Sequence, residues 1–178
     1  MTVNKATMEA AVVSFIVPAY DEERYIGDCI NAIHQAARER ELDYEVIVAN
    51  DASTDATARI AAELGAKVVD VHNRRISATR NAGAVASRGA WLIFVDADTQ
   101  VNAKTVAGAV DALQNGAAGG GSAFDFDGRL SVFGTFLQWI ARRNPRAKLA
   151  SGCFLFCTRE AFIAVGGFAD DLAAAEEA

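Results

Sequence analysis

The chain is poor in several residue types on which whole classes of chemistry depend. It has only two histidines, His34 and His72, far apart in sequence, and three cysteines, Cys29, Cys153 and Cys157, at no metal-ligand spacing. That scarcity argues against a zinc centre, and an odd number of thiols suits a reducing compartment better than a disulfide framework. Cations are also in deficit: 17 Lys and Arg against 23 Asp and Glu leave a formal net charge of −6. Non-specific nucleic-acid binding relies on clustered cations that neutralise phosphates, so an electrostatic DNA or RNA binder is not expected. No stretch reaches the roughly 20 apolar residues needed to cross a bilayer. The longest candidate, "LSVFGTFLQWIA" from Leu130, is flanked by Arg129, Arg142 and Arg143. At that length it reads as a core helix in preference to an interfacial one lying peripherally on a membrane. The opening "MTVNKATMEA" has one Lys and no long apolar segment before Pro18, which does not read as a secretory signal and makes a cytoplasmic location the expectation.

What is present is ordinary globular composition, 52% hydrophobic and 22% charged over 178 residues, consistent with a single domain spanning residues 1–178. Apolar β-rich runs recur at residues 12–17 ("VVSFIV"), 45–49 ("EVIVA"), 67–71 ("KVVDV") and 91–95 ("WLIFV"), separated by helix-compatible segments. Between the first two, from about Glu22 to Arg40, Ile26, Ile30, Ile33 and Ala37 fall at spacings of three and four and predict an amphipathic helix. Asp55 to Leu64 follows "ST", a good N-cap pair, and stops at Gly65, a good C-cap. A third helix is expected from about Lys104 to Leu113. The rhythm is βαβ, which predicts a mostly parallel sheet with helices on both faces. The later half is less regular. Its glycines 119–121 call for close backbone packing or a mobile loop, and "CFLFC" read as a strand would set Cys153, Leu155 and Cys157 on one face and Phe154 and Phe156 on the other.

In open α/β sheets, ligands bind beyond the carboxyl ends of the strands, and here all four ends are polar: "PAYDEE", "NDASTD", "HNRR" and "DADT". Taken singly, each is a set of turn formers or caps, the better reading for Asp55. Together they describe one acidic edge with Arg74, Arg75 and Arg80 beside it. Asp96 and Asp98, one residue apart after "WLIFV", could turn two carboxylates towards a hard cation such as Mn2+ or Mg2+. The plain alternative is an Asx turn closing the strand.

"IVPAYDEE", "VANDASTDAT", "ATRNAGAVASRGAWLIFVDADT" and "REAFIAVGGFADD", in that order from Val13 to Glu177, resemble the successive motifs of family-two glycosyltransferases with the GT-A fold. The resemblance implies that Pro18, Ala19, Tyr20 and Glu22 form a nucleotide-binding loop, that Asp51 reads the base, and that Arg80 is a donor-site arginine. It further implies that Asp96 and Asp98 form the metal-binding DxD motif, Asp96 also touching the nucleotide and Asp98 binding the metal directly. Two departures stand out. The family usually has two acids where this chain has Asn50 and Asp51, and an Asp general base after "GGF" where this chain has Glu176 and Glu177. Family members also normally continue past that pair, so the 178 residues read as a shortened form or a fragment. The implied reaction is an inverting, metal-dependent transfer from a nucleotide-diphospho-sugar to an acceptor hydroxyl on a glycan, a lipid-linked sugar or a small molecule, with no covalent intermediate. Two alternatives stay open: a non-catalytic nucleotide-sugar-binding domain, and a sugar nucleotidyltransferase. The last would need a Gly-rich basic loop that "PAYDEE" is not.

Overall fold

Each apolar run becomes a strand of one sheet in the computed structural model of the chain, which describes residues 12–121 and 153–169. β1 (Val13–Ala19) is buried throughout and β2 (Tyr44–Asp51) is buried from Val46 onward, as parallel strands covered on both faces should be. β3 (Lys67–Val71) forms one edge, and β4 (Trp91–Val95) lies on the other side of β1. Short β5 (Gly119–Gly121) and β6 (Phe154–Thr158) complete the order β3-β2-β1-β4-β6-β5. The first four strands pair in parallel, and β6 runs antiparallel to both neighbours.

Helices α1 (Ile26–Glu39), α2 (Thr57–Glu63), α3 (Ile76–Ala86), α4 (Ala103–Gln114) and α5 (Arg159–Ala164) connect or follow the strands. The predicted stripe of α1 is buried at Ile26, Ile30, Ile33 and Ala37, and packs with Phe15 and Val17 of β1 and Val106 and Val110 of α4. Burying each isoleucine contributes about 1.5–3 kcal/mol. On the opposite face Ile16, Leu92 and Phe94 lie under Ala84 of α3, with Phe162 and Phe168 packed alongside. Helices therefore cover both faces, as expected. The alternation read in "CFLFC" holds: Phe154 and Phe156 join the first core, Leu155 and Cys157 the second.

α3 sits unusually close to the sheet. A Cβ on Gly83 would lie 2.5 Å from the Ile16 side chain, so glycine there lets the helix approach and fixes the height of Thr79 and Arg80 one turn earlier. The glycine run 119–121 likewise is close packing: a Cβ on Gly119 would come 2.7 Å from the Phe156 carbonyl oxygen.

One helix start differs from expectation. Ser53 and Thr54 do not cap α2, whose flanking residue is Ala56 with no side-chain cap. Asp55 does that work instead, its Oδ1 accepting from the Thr57 N–H at 2.9 Å, because Ser53 and Thr54 are engaged across the sheet edge as described below. Gly65, at φ +85°, ends the helix as predicted. Leu130 and the apolar run that follows it lie outside the described residues.

Candidate functional site

The carboxyl ends of β1 to β4 open into a cleft of about 600 Å³. Pro18 and Ala19 line it from the end of β1, Tyr20 and Glu22 from the loop that follows, and Asp51 ends β2. Arg74, Arg75, Ile76 and Thr79 come from the β3–α3 junction, and Asp96, Ala97 and Asp98 follow β4. The residues expected from the sequence thus converge, except three. Arg80 stands behind the lining, and Glu176 and Glu177 lie outside the described residues. Thr79 and Ile76 were not legible as site residues. The available signal was the position of Thr79 immediately before Arg80 at the start of a helix that must face the strand ends.

The acids that break β1 latch one loop to the next. The Asp21 N–H donates to Ser53 Oγ at 3.0 Å, and Asp21 Oδ1 accepts from the Thr54 N–H at 2.7 Å. The Glu22 N–H donates to Thr57 Oγ1, the Glu23 N–H to Asp55 Oδ2, and Glu23 Oε2 accepts from the Ala56 N–H. Asp21 (φ +51°) and Ala52 (φ +57°) adopt left-handed conformations to make this fit. These bonds also explain why α1 begins at Ile26: the residues before it serve the neighbouring loop. The latch holds Tyr20 and Glu22 at the mouth of the cleft.

Asp51 is 5% exposed, with both oxygens engaged. Oδ1 accepts from the Asn73 N–H at 2.7 Å and Oδ2 from Thr79 Oγ1 at 2.9 Å. It therefore ties the β3–α3 junction, with Arg74 and Arg75, to the end of β2, while each oxygen keeps a further lone pair for a ligand. Asn50, its neighbour, does not line the cleft. Its Nδ2 donates to Asp70 Oδ1 on β3 at 2.7 Å, and its buried Oδ1 has no hydrogen-bond partner among the described residues. A carboxylate at position 50 would face Asp70.

At the end of β4, Asp96 Oδ1 accepts from an Arg80 guanidinium N–H at 2.7 Å, with Arg80 only 8% exposed. Asp98 is exposed, and the Thr99 N–H donates to the Asp96 carbonyl to close a turn. Burial first, then the negative charges of Asp98, Asp55 and Asp96, push the Glu22 carboxyl above its ordinary range. The Cys29 thiol, Sγ 3.5 Å from the Asp96 carbonyl, is pushed up to about 12 by burial and then by the negative charges of Asp98, Asp96 and Glu22, which makes it an inert core thiol. Glu22, Asp96 and Asp98 thus share a negative field that Arg80 offsets in part. No cage of three or more His, Cys, Asp or Glu exists among the described residues. An oxygen-only donor set of one or two carboxylates fits a hard divalent cation whose remaining ligands come from water and phosphate.

The "GGF" loop after α5 is docked beside this centre. Asn81 Nδ2 donates to the Phe168 carbonyl at 3.0 Å, and Asn81 Oδ1 accepts from the Phe168 N–H at 2.9 Å. The Phe168 ring packs edge-on against Phe94 and lies 5.5 Å from the Arg80 guanidinium carbon. Chain leaving Phe168 therefore starts next to the Arg80–Asp96 pair. Among the described residues no helix is long and apolar enough to cross a membrane.

A sequence model of the family described as "Glycosyl transferase family 2" matches residues 14–162. The uncharacterized glycosyltransferase EpsJ of Bacillus subtilis is 36% identical over 96 residues, which cover 51% of this chain and 27% of that relative. A mannosyltransferase from Pyrobaculum calidifontis, solved with GDP-Man and Mn2+, superposes with a TM-score of 0.72 at 22% identity over 89% of this chain and 48% of its own. Glucosyl-3-phosphoglycerate synthase from Mycobacterium tuberculosis, solved with Mn2+, UDP and glucosyl-3-phosphoglycerate, gives 0.64 at 23% identity over 84% of this chain and 57% of its own. Identities this low show a common fold, the GT-A fold of glycosyltransferases. The matched stretch spans about a quarter of the curated relative and about half of the solved ones.

Proposed function

The chain belongs to glycosyl transferase family 2, and from that premise we propose that it binds a nucleotide-diphospho-sugar and carries the donor half of an inverting, metal-dependent transfer to an acceptor hydroxyl. The observation that carries the reading is the convergence of Tyr20, Asp51, Arg75, Asp96 and Asp98 from four strand ends into one cleft. Tyr20, half-exposed at the mouth, offers a ring face to a base. Asp51 retains acceptor capacity for a base N–H and is rigidly held by Asn73 and Thr79. Arg75 offers a diphosphate a fork of N–H donors. Asp98, with Asp96, would hold Mn2+ or Mg2+, which in such a site neutralises charge on a departing diphosphate.

Arg80 orients Asp96 through its 2.7 Å bond to Oδ1. In the transfer itself, the acceptor oxygen attacks the anomeric carbon as the bond from that carbon to the diphosphate oxygen breaks. The hydroxyl proton passes to a carboxylate, the role proposed for Glu177 or Glu176.

Calorimetric titration of UDP and GDP, each with and without Mn2+, tests the donor reading. We expect binding that strengthens with Mn2+ and loses that dependence in Asp98→Asn while the thermal melt stays unchanged. Equal metal dependence in variant and parent would refute the assignment of Asp98. Release of nucleoside diphosphate with transfer of sugar to an acceptor panel then distinguishes a transferase from a binding domain.

A further inference from the structure

Tyr20 and Arg74 face each other across the mouth of the cleft. The Arg74 guanidinium carbon lies 4.2 Å from the Tyr20 ring centroid, within the distance at which planar cations stack on aromatic faces. Tyr20 is 45% exposed, and it and Arg74 both line the cleft, so the ring face that Arg74 covers borders the space a planar ligand would occupy. Arg74 is also held by its backbone. It has φ +51°, a conformation that residues with a side chain adopt reluctantly. It is pinned there from both sides: the Asn73 N–H donates to Asp51 Oδ1, and the Arg75 carbonyl accepts from the Thr79 N–H. Among the described residues Arg74 makes no ion pair.

We propose that Arg74 is a specificity-determining residue that makes the cleft prefer a nucleoside carrying phosphates over the bare nucleoside, by occupying the stacking face of Tyr20 until an anion draws it away. The proposal rests on the donor-binding reading above. A base that stacks on Tyr20 must displace the guanidinium. A bare nucleoside gives that guanidinium nothing in exchange, whereas a diphosphate offers it paired, charge-assisted hydrogen bonds in the geometry arginine favours. The displacement then costs only the ligands that lack phosphate. The short reach from Tyr20 to the rest of the cleft lining, which Arg74 shares with Arg75, keeps the displaced side chain within the site.

The test measures equilibrium binding of uridine, guanosine, UDP and GDP, with Mn2+ present, to the parent, Arg74→Gln, Arg74→Ala and Tyr20→Ala. Arg74 is exposed, so its variants should melt with the parent, and the two substitutions check each other. The expected result is that nucleosides bind the Arg74 variants roughly two- to five-fold tighter, the scale of one exposed cation–π contact, while the diphosphates bind more weakly. The ratio of diphosphate to nucleoside affinity should narrow by more than either change alone. Nucleosides that bind the Arg74 variants no better than the parent would overturn the proposal, since Arg74 would then be a wall of the site and no competitor for it. Diphosphates that bind the parent but are indifferent to Tyr20→Ala would overturn it too and leave the metal-site reading standing. A parent that binds neither diphosphate would refute the donor reading itself, and the proposal with it.

Discussion

Replacing Asn50 by Asp would restore the two acids typical of the family and should nevertheless harm this protein. Asn50 is 5% exposed and donates to Asp70 Oδ1 at 2.7 Å. The substitution removes a hydrogen bond to a charged acceptor, a loss of about 1.5–3 kcal/mol, and sets two carboxylates against each other. At 2.7 Å two full charges repel by about 1.5 kcal/mol in bulk water and about 6 kcal/mol at an effective dielectric near 20. The higher figure is not reached, because Asp70 is exposed and can swing into solvent. Protonation sets a second ceiling: holding one carboxyl neutral at pH 7 against a pKa near 3.9 costs about 4 kcal/mol. We expect N50D to lose about 2–4 kcal/mol at pH 7, roughly 5–15 °C in Tm for a chain of this size. The sign of the pH dependence follows from the repulsion, which raises a folded-state pKa in the variant. The folded variant then holds more protons than its unfolded chain between about pH 4 and the raised value, so its deficit shrinks as pH falls through that window. Thermal melts of the parent, N50D, D70N and N50D/D70N at pH 5 and pH 7 provide the assay. The double variant exchanges donor and acceptor and should recover most of the loss. An N50D protein as stable as the parent at pH 7, or one that D70N fails to rescue, would refute the reasoning.

Asp51→Ala should cost about 1–3 kcal/mol by leaving the Asn73 N–H without its acceptor, and should weaken UDP or GDP binding because the Arg74–Arg75 segment loses its anchor; unchanged affinity by calorimetry would make Asp51 a turn residue only. Glu45→Gln addresses a carboxyl that burial alone would raise but that the Arg88 N–H and Ser14 hydroxyl hold below its ordinary value. The stabilisation is present above the ordinary glutamate pKa and is lost as pH falls through the lowered folded value. The parent's advantage over E45Q in thermal melts should therefore be constant at neutral pH and vanish in strong acid, and an advantage that grows below pH 4 would contradict the sign. Gly83→Ala would press a methyl to within 2.5 Å of Ile16 and should cost about 1–3 kcal/mol in urea unfolding by overpacking; parent-like stability would mean that α3 lifts off the sheet freely.

The sequence by itself determined the elements and the edge at which the site lies. Runs such as "FIV" and "WLIFV" specify buried strands, and the isoleucines of α1 specify a helix, because period and apolarity act between residues a few positions apart. Polar residues after four successive strands marked the cleft for the same reason: parallel βαβ order brings every such end to one side. The partners that give those residues their roles were not legible. Asn50 with Asp70, Asp21 with Ser53 and Thr54, Arg80 with Asp96, and Arg74 over Tyr20 are 16 to 54 residues apart, and each pair meets only after strand order and register are set. "ST" before α2 reads as a cap in isolation, yet both residues are claimed by a loop 32 or 33 positions earlier. A short polar side chain gains about the same from a local backbone bond as from a distant one, so sequence cannot rank the two. The three-dimensional neighbour decides.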